Sequence, residues 1–169
     1  MLEIYAGFSR AKHKSAVFSR LIQWFIGAEF SHSYFRIHDK ELGIVYVFEA
    51  KSGGVHLRSA HQFDSVNHTI ELYKLPDLPY FDQECFKRDL IYFSGIHYAY
   101  KQNIGVLIVD TLKRCFGIKL TRNLFNDGMN CSEVMAILVN KYWGLKFSEQ
   151  LDLIDPKDIR NEIKAWLKY

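Results

Sequence analysis

Apolar and polar residues alternate in some parts of the chain and recur at helical spacing in others. Alternation predicts strands over residues 4–8, 30–37, 44–50, 55–58 and 69–75. Helical spacing and capping residues predict helices over 16–26, 82–94, 131–143 and 156–168, with residues 98–116 as a helix or a buried connection. Strands and helices that mix in this way predict one α+β domain over residues 1–169.

The first predicted helix carries a conspicuous apolar stripe. Val17, Leu21, Trp24 and Phe25 lie on one side of it, and Gly27 follows as a stop. The pattern favours packing of this stripe against a sheet. The alternative is peripheral contact with a membrane, because the helix is aromatic and slightly basic.

Composition limits the classes of function. Of 169 residues, 49% are hydrophobic and 15% aromatic, which is enough apolar material for a sizeable core. The net charge of +3 is spread along the chain, so we expect no nucleic-acid partner. Three irregularly spaced cysteines indicate a reducing compartment, and we expect Cys85 and Cys115 in the core. With neither a signal peptide nor a membrane-spanning run in view, we expect a cytoplasmic protein; composition leaves the oligomeric state open.

Seven histidines raise the question of a bound metal. The chain has no His-x-x-x-His pair and no Cys-x-x-Cys pair, and His56 and His61 fall in a segment without helical pattern. It also lacks a glycine-rich loop between a strand and a helix. We therefore expect no metal and no cofactor. Separately, we expect residues 61–67 to form a loop that contributes to substrate specificity.

Cys131 lies where a helix is predicted to begin. Asn130 is a favourable N-cap, and Glu133 stands three residues later, as in a capping box. Unpaired N–H groups and the positive end of the helix dipole favour a thiolate over a thiol at this position. Cys131 is thus a candidate nucleophile, and its own backbone N–H is a candidate oxyanion donor. The alternative is a small buried hydrophobic residue.

His32 and Glu49 are candidates for the base and for the group that orients it. They lie on consecutive predicted strands that are joined by a turn at Asp39–Gly43. With a four-residue loop we expect His32 directly opposite Glu49, whereas a five-residue loop would place the two residues on different faces. The alternative for His32 is a strand histidine with no catalytic role.

Several short motifs occur in a characteristic order. They are Phe30-Ser31-His32, Phe48-Glu49-Ala50, Gly53-Gly54-Val55, Asn130-Cys131-Ser132-Glu133-Val134 and Ile154-Asp155-Pro156-Lys157-Asp158-Ile159. This order resembles the circularly permuted NlpC-type branch of the papain-like cysteine peptidases and amidases. The resemblance implies Cys131 as nucleophile, His32 as general base and Glu49 as third polar residue. It also implies a small antiparallel sheet packed against the helix that bears the nucleophile.

The chain departs from this family at two positions next to the site residues. Asn130 stands where the family has an aromatic residue, and Ser33 stands where it has a small apolar residue. Since neighbouring strand residues face opposite ways, we expect Ser33 to point away from the site.

The residues and the resemblance together predict a thiol hydrolase. We expect it to cleave an amide bond in a small peptide or a cell-wall fragment through an acyl-enzyme. The alternatives are a lecithin:retinol-type acyltransferase or thioesterase that acts on lipids, and a non-catalytic binding domain of the same fold.

Overall fold

The computed structural model describes residues 1–13, 17–98, 128–148 and 150–168. Its centre is a five-stranded antiparallel sheet with strand order β4-β3-β2-β1-β5. The strands are β1 (Leu2–Ala11), β2 (His32–Asp39), β3 (Ile44–Lys51), β4 (Gly54–Ser59) and β5 (Asn67–Lys74). The prediction of a mixed α+β protein with a small antiparallel sheet is confirmed.

Five helices surround the sheet in the described part of the chain. They are α1 (Val17–Ile26), α2 (Ala60–Val66), α3 (Gln83–Phe93), α4 (Cys131–Trp143) and α5 (Pro156–Trp166). Asp82 caps α3 and Asp155 caps α5, each through its carboxylate, and Gly144 ends α4 with a φ of 69°. These boundaries agree with the sequence prediction. Of the predicted segment 98–116, only Tyr98 lies within the described residues.

The two faces of the sheet bury different side chains. Even-numbered β1 residues and odd-numbered β2 residues, such as Phe8 and Phe35, belong to the large core that includes α4. Tyr34 and Val47 point the other way, toward Phe63 of α2. Gly7 makes room for this second layer, because a Cβ at Gly7 would lie 2.3 Å from the Tyr34 ring.

Two expectations about the helices were wrong. Residues 61–67 do not form a loop, because Ser59 caps a helix over Ala60–Val66 by accepting a bond from the Gln62 amide. A seven-residue helix with only two buried residues leaves a weak apolar pattern, which explains why the sequence did not predict it.

Three of the four residues of the apolar stripe of α1 do not pack inward; the fourth, Phe25, is partly buried against the core. Val17 and Trp24 are 73% and 78% exposed, and Leu21 is half-exposed. The opposite side of the helix turns inward, where Ile26 is buried and Ile22 is partly buried against the core. The spacing therefore predicted the helix correctly but not the face that is buried.

No described helix is both long enough and apolar enough to cross a bilayer.

Candidate active site

Cys131 is the first residue of α4. The Asn130 side chain accepts a bond of 2.8 Å from the Glu133 amide and so fixes the first turn. Cys131 itself is 7% exposed, and α4 packs against β2 and β3. Its backbone N–H is among the helix-start groups that have no acceptor within the helix, so it is available to an oxyanion.

His32 lies near the Cys131 sulfur, and each of the two side chains shifts the pKa of the other. The imidazole Nε2 is 2.7 Å from Glu49 Oε2, which leaves Nδ1 free of the carboxylate. The ring also stacks against Tyr34 and Phe63, with centroid distances of 6.3 and 6.5 Å. Three candidate residues that are far apart in sequence, Cys131, His32 and Glu49, therefore lie at one site.

The pairing of His32 with Glu49 differs from the predicted one. Four residues separate the paired Asp39 and Ile44, and the register continues to Phe35 opposite Phe48. In this register Glu49 falls opposite the next residue along, Tyr34, so direct pairing with His32 is wrong. The two residues are diagonal neighbours on one face, which still lies within reach of long side chains.

Ser33 also lies at the site, contrary to expectation. Its backbone N–H and its hydroxyl lower the pKa of Cys131, and its side chain is buried, with no hydrogen-bond partner for the hydroxyl among the described residues. Ser33 has the same strand parity as Phe35, on the α4 face, whereas His32 faces α2. Both residues reach Cys131 because they are the first two residues of β2, and the site lies at the end of this strand rather than over the sheet.

Arg58 of β4 completes the chain of contacts. Its Nη2 is 2.6 Å from Glu49 Oε1, so both carboxylate oxygens of Glu49 have a cationic or hydrogen-bonding neighbour. The Arg58 guanidinium lies over the Phe63 ring, 5.1 Å from its centroid. Sequence reasoning did not identify Arg58. The only indication in the sequence was that Arg58 lies on the predicted strand that follows the strand of Glu49.

Charges at the site shift the proton affinities of Cys131 and His32 in opposite directions. Burial alone disfavours charge on both residues, but their attraction to each other outweighs it. The pKa of Cys131 is lowered and the pKa of His32 is raised, with Ser33 and Glu49 adding to these shifts. Glu49 is also buried, and the pKa of its carboxyl is lowered by His32 and Arg58. The arrangement favours a thiolate beside an imidazolium.

A small cleft opens next to the sulfur. Its volume is about 30 Å³, enough for one water molecule. Its lining comes from α1, from the residues around Cys131, from the start of α5 and from two single residues before β2 and after α3. These residues are Ile22, Ile26, Ser31, Tyr98, Asn130, Cys131, Ser132, Ile154, Asp155 and Pro156. Larger cavities of 390 and 530 Å³ lie elsewhere on the protein.

Within the described ranges, no group of three or more His, Cys, Asp or Glu side chains is arranged to hold a metal ion. Cys85, expected in the core, packs against it while partly buried, and Arg88 donates to its sulfur. The other cysteine predicted to be buried, Cys115, lies outside the described residues.

Comparison with known proteins adds no relative to this picture. No protein-family model matches the chain, and neither a curated protein nor a solved structure matches it.

Proposed function

We propose that this protein is a thiol hydrolase with Cys131 as nucleophile, His32 as general base and acid, and Glu49 as the residue that orients His32. The observation that carries the proposal is the bond between His32 and the buried Glu49 carboxylate, with His32 near Cys131. A cysteine and a histidine that were neighbours by chance would not need a buried carboxylate to hold the imidazole. A catalytic pair does need such a group to orient the base. We also propose that the fold is the permuted papain-like fold of the NlpC-type enzymes.

The proposed reaction begins with the thiolate of Cys131 attacking an amide carbonyl. The carbonyl oxygen gains the negative charge and accepts a bond from the Cys131 backbone N–H. His32 then gives its proton to the leaving nitrogen, and an acyl-enzyme remains. In the second half, neutral His32 takes a proton from water, whose oxygen attacks the thioester and releases the acid and the thiolate.

Glu49 keeps the imidazole ring in the orientation that points Nδ1 toward the sulfur. It stays ionised during the cycle, because His32 and Arg58 both lower the pKa of its carboxyl. Ser33 also lowers the pKa of Cys131, through its backbone N–H and its buried hydroxyl.

Acyl transfer from a lipid is a second candidate function. One observation favours it: Ile22 and Ile26 of α1 line the cleft beside Cys131, and the other side of the same helix exposes apolar residues. An acyl chain could approach the sulfur along this helix. The two candidates share the nucleophile and differ in the acyl donor.

The test is turnover by the whole protein on two panels, one of peptide amides and cell-wall peptide fragments, the other of phospholipids in mixed micelles. Acyl adducts at Cys131 are located by mass spectrometry. We expect turnover on one panel and a loss of at least about 1000-fold in Cys131→Ala, with no loss in the control Cys85→Ala. Turnover that survives Cys131→Ala would overturn the proposal.

A further inference from the structure

The exposed stripe of α1 lies beside a cationic pocket. The pocket has a volume of 390 Å³ and is lined by Arg10, Ala11, Lys12, His13, Ser19, Arg20, Gln23 and His68. Three of these residues carry a permanent positive charge and two are histidines. None of the described lining residues is acidic. Arg20 belongs to α1 itself, so the apolar stripe and the pocket share one helix.

Exposure of this stripe is costly in water. Val17, Leu21 and Trp24 are spaced four and three residues apart, which aligns them along one side of the helix. Isolated exposed apolar residues are common on protein surfaces, but a contiguous apolar stripe with a basic border is typical of an interaction site. A tryptophan that is 78% exposed at the end of such a stripe is suited to the boundary between lipid headgroups and acyl chains.

The helix is held firmly from its inner side. Ser19 Oγ lies 2.6 Å from Ser31 Oγ, just before β2. Lys157 Nζ donates a bond of 2.8 Å to the carbonyl of Ile26, the last residue of α1. Ile26 is buried. The stripe is therefore presented on an anchored helix.

We propose that this face, made of the α1 stripe and the adjoining cationic pocket, docks the protein onto an anionic lipid bilayer. The stripe enters the interface while the pocket binds the phosphate groups of the lipids. Charge complementarity favours an anionic bilayer over an apolar protein partner. The stripe is bordered by basic residues, which attract lipid phosphates, whereas an apolar protein surface would not require basic residues at its edge. Docking does not depend on the chemistry at Cys131.

The experiment is flotation of the whole protein with phosphatidylcholine vesicles, with and without about one-third phosphatidylglycerol. We expect binding to the anionic vesicles alone, weakening as salt is raised. Trp24→Glu should weaken binding at least about tenfold, and Arg20→Gln about fivefold. Matched controls are Tyr92→Glu, at an aromatic residue 76% exposed on α3, and Lys164→Gln on α5; both should bind like the unaltered protein.

Two results would overturn the proposal. One is failure to bind anionic vesicles, or equal weakening by the α1 variants and their controls. The other is a combination of two findings. Inorganic phosphate stabilises the protein against thermal unfolding more than sodium chloride does at equal ionic strength, and Trp24→Glu leaves vesicle binding unchanged. That second result would identify a site for a free anion instead of a bilayer.

A separate observation concerns Arg58. Glu49 is buried with a side-chain exposure of 1%, and it touches His32 through one oxygen and Arg58 through the other. A buried carboxylate with two such partners has its plane fixed. Arg58 is in turn held over the Phe63 ring, which also stacks on His32.

We infer that Arg58 is a positioning residue, which acts on His32 through Glu49. This inference rests on the proposed function. Removing the positive charge of Arg58 should raise the proton affinity of the whole site, so the pH midpoint of Cys131 alkylation should rise by about half a unit or more in Arg58→Met. Arg58→Lys keeps the charge and should restore most of the original midpoint.

The matched control is Arg36→Met. The Arg36 side chain is 18% exposed, compared with 15% for Arg58, and it pairs with Asp64 on the same sheet face instead of with Glu49. A merely structural role for Arg58 would lower the melting temperature without moving the midpoint, and that result would overturn the inference. If the unaltered protein has no shifted midpoint at Cys131, the proposed function fails instead.

Discussion

Helices α1 and α4 have similar apolar content but opposite surroundings. Nine of the thirteen residues of α4 are buried, whereas α1 buries only Ile26 of its ten. Helix α4 is covered by the sheet and by α5, and its N-terminus carries Cys131, whose pKa is lowered by His32. Helix α1 is anchored along one edge and exposes its apolar stripe. The comparison teaches that apolar spacing predicts a helix, while the neighbours decide whether the stripe becomes core or interaction surface.

The largest difference between the two helices should appear in stability. Leu138 of α4 is fully buried, and Leu138→Ala should lower the free energy of unfolding by about 3 kcal/mol, because it leaves a cavity. Leu21 of α1 is half-exposed, and Leu21→Ala should cost less than about 1 kcal/mol. Urea unfolding measures both. Equal losses would show that the stripe of α1 is covered in solution.

The α2 side of the sheet gives an intermediate case. Gly7→Ala would push a methyl group into the Tyr34 ring, which stacks on His32, and should cost about 2 kcal/mol. Gly43→Ala is the control: its Cβ would meet nothing within 4 Å, so only the strain of a φ of 66° remains, about 1 kcal/mol. If Gly7→Ala costs no more than the control, Tyr34 is not closely packed over β1.

The smallest effect concerns the cap of α4. Asn130→Ala should lower the free energy of unfolding by about 1 kcal/mol, as should Asp82→Ala at the start of α3. Only the first variant should also move Cys131 alkylation to higher pH, since it loosens the N–H groups that favour the thiolate. A shift in both variants, or in neither, would show that the Asn130 cap has no specific effect on the pKa of Cys131.

The sequence predicted the elements that have strong local patterns. The caps Asn130, Asp82 and Asp155 marked helix starts, and alternation marked the strands, since both depend on nearby residues. Helix α2 has too few buried positions to produce a pattern, and it was missed.

The candidate site was predicted in its members but not in its geometry. Cys131, His32 and Glu49 do meet, yet the diagonal pairing and the inward side chain of Ser33 depend on register and on the end of β2. Arg58 belongs to the site only because β4 lies next to β3. Such relations between distant segments have no local pattern, so residue spacing alone does not reveal them.

The central claim is that Cys131 is a thiolate paired with the imidazolium of His32. The most direct measurement is the rate of iodoacetamide alkylation at Cys131 against pH, read by mass spectrometry, with Cys85 as internal reference. It is made on the unaltered protein, on His32→Ala and on the control His38→Ala, which alters a half-buried histidine on the same strand.

Because His32 lowers the pKa of Cys131, we expect the alkylation midpoint to lie below about 8.5, the value of an ordinary thiol, and to rise in His32→Ala alone. Alkylation of Cys131 no faster than that of Cys85, or unaffected by the loss of His32, would contradict the account and favour a binding domain without catalysis.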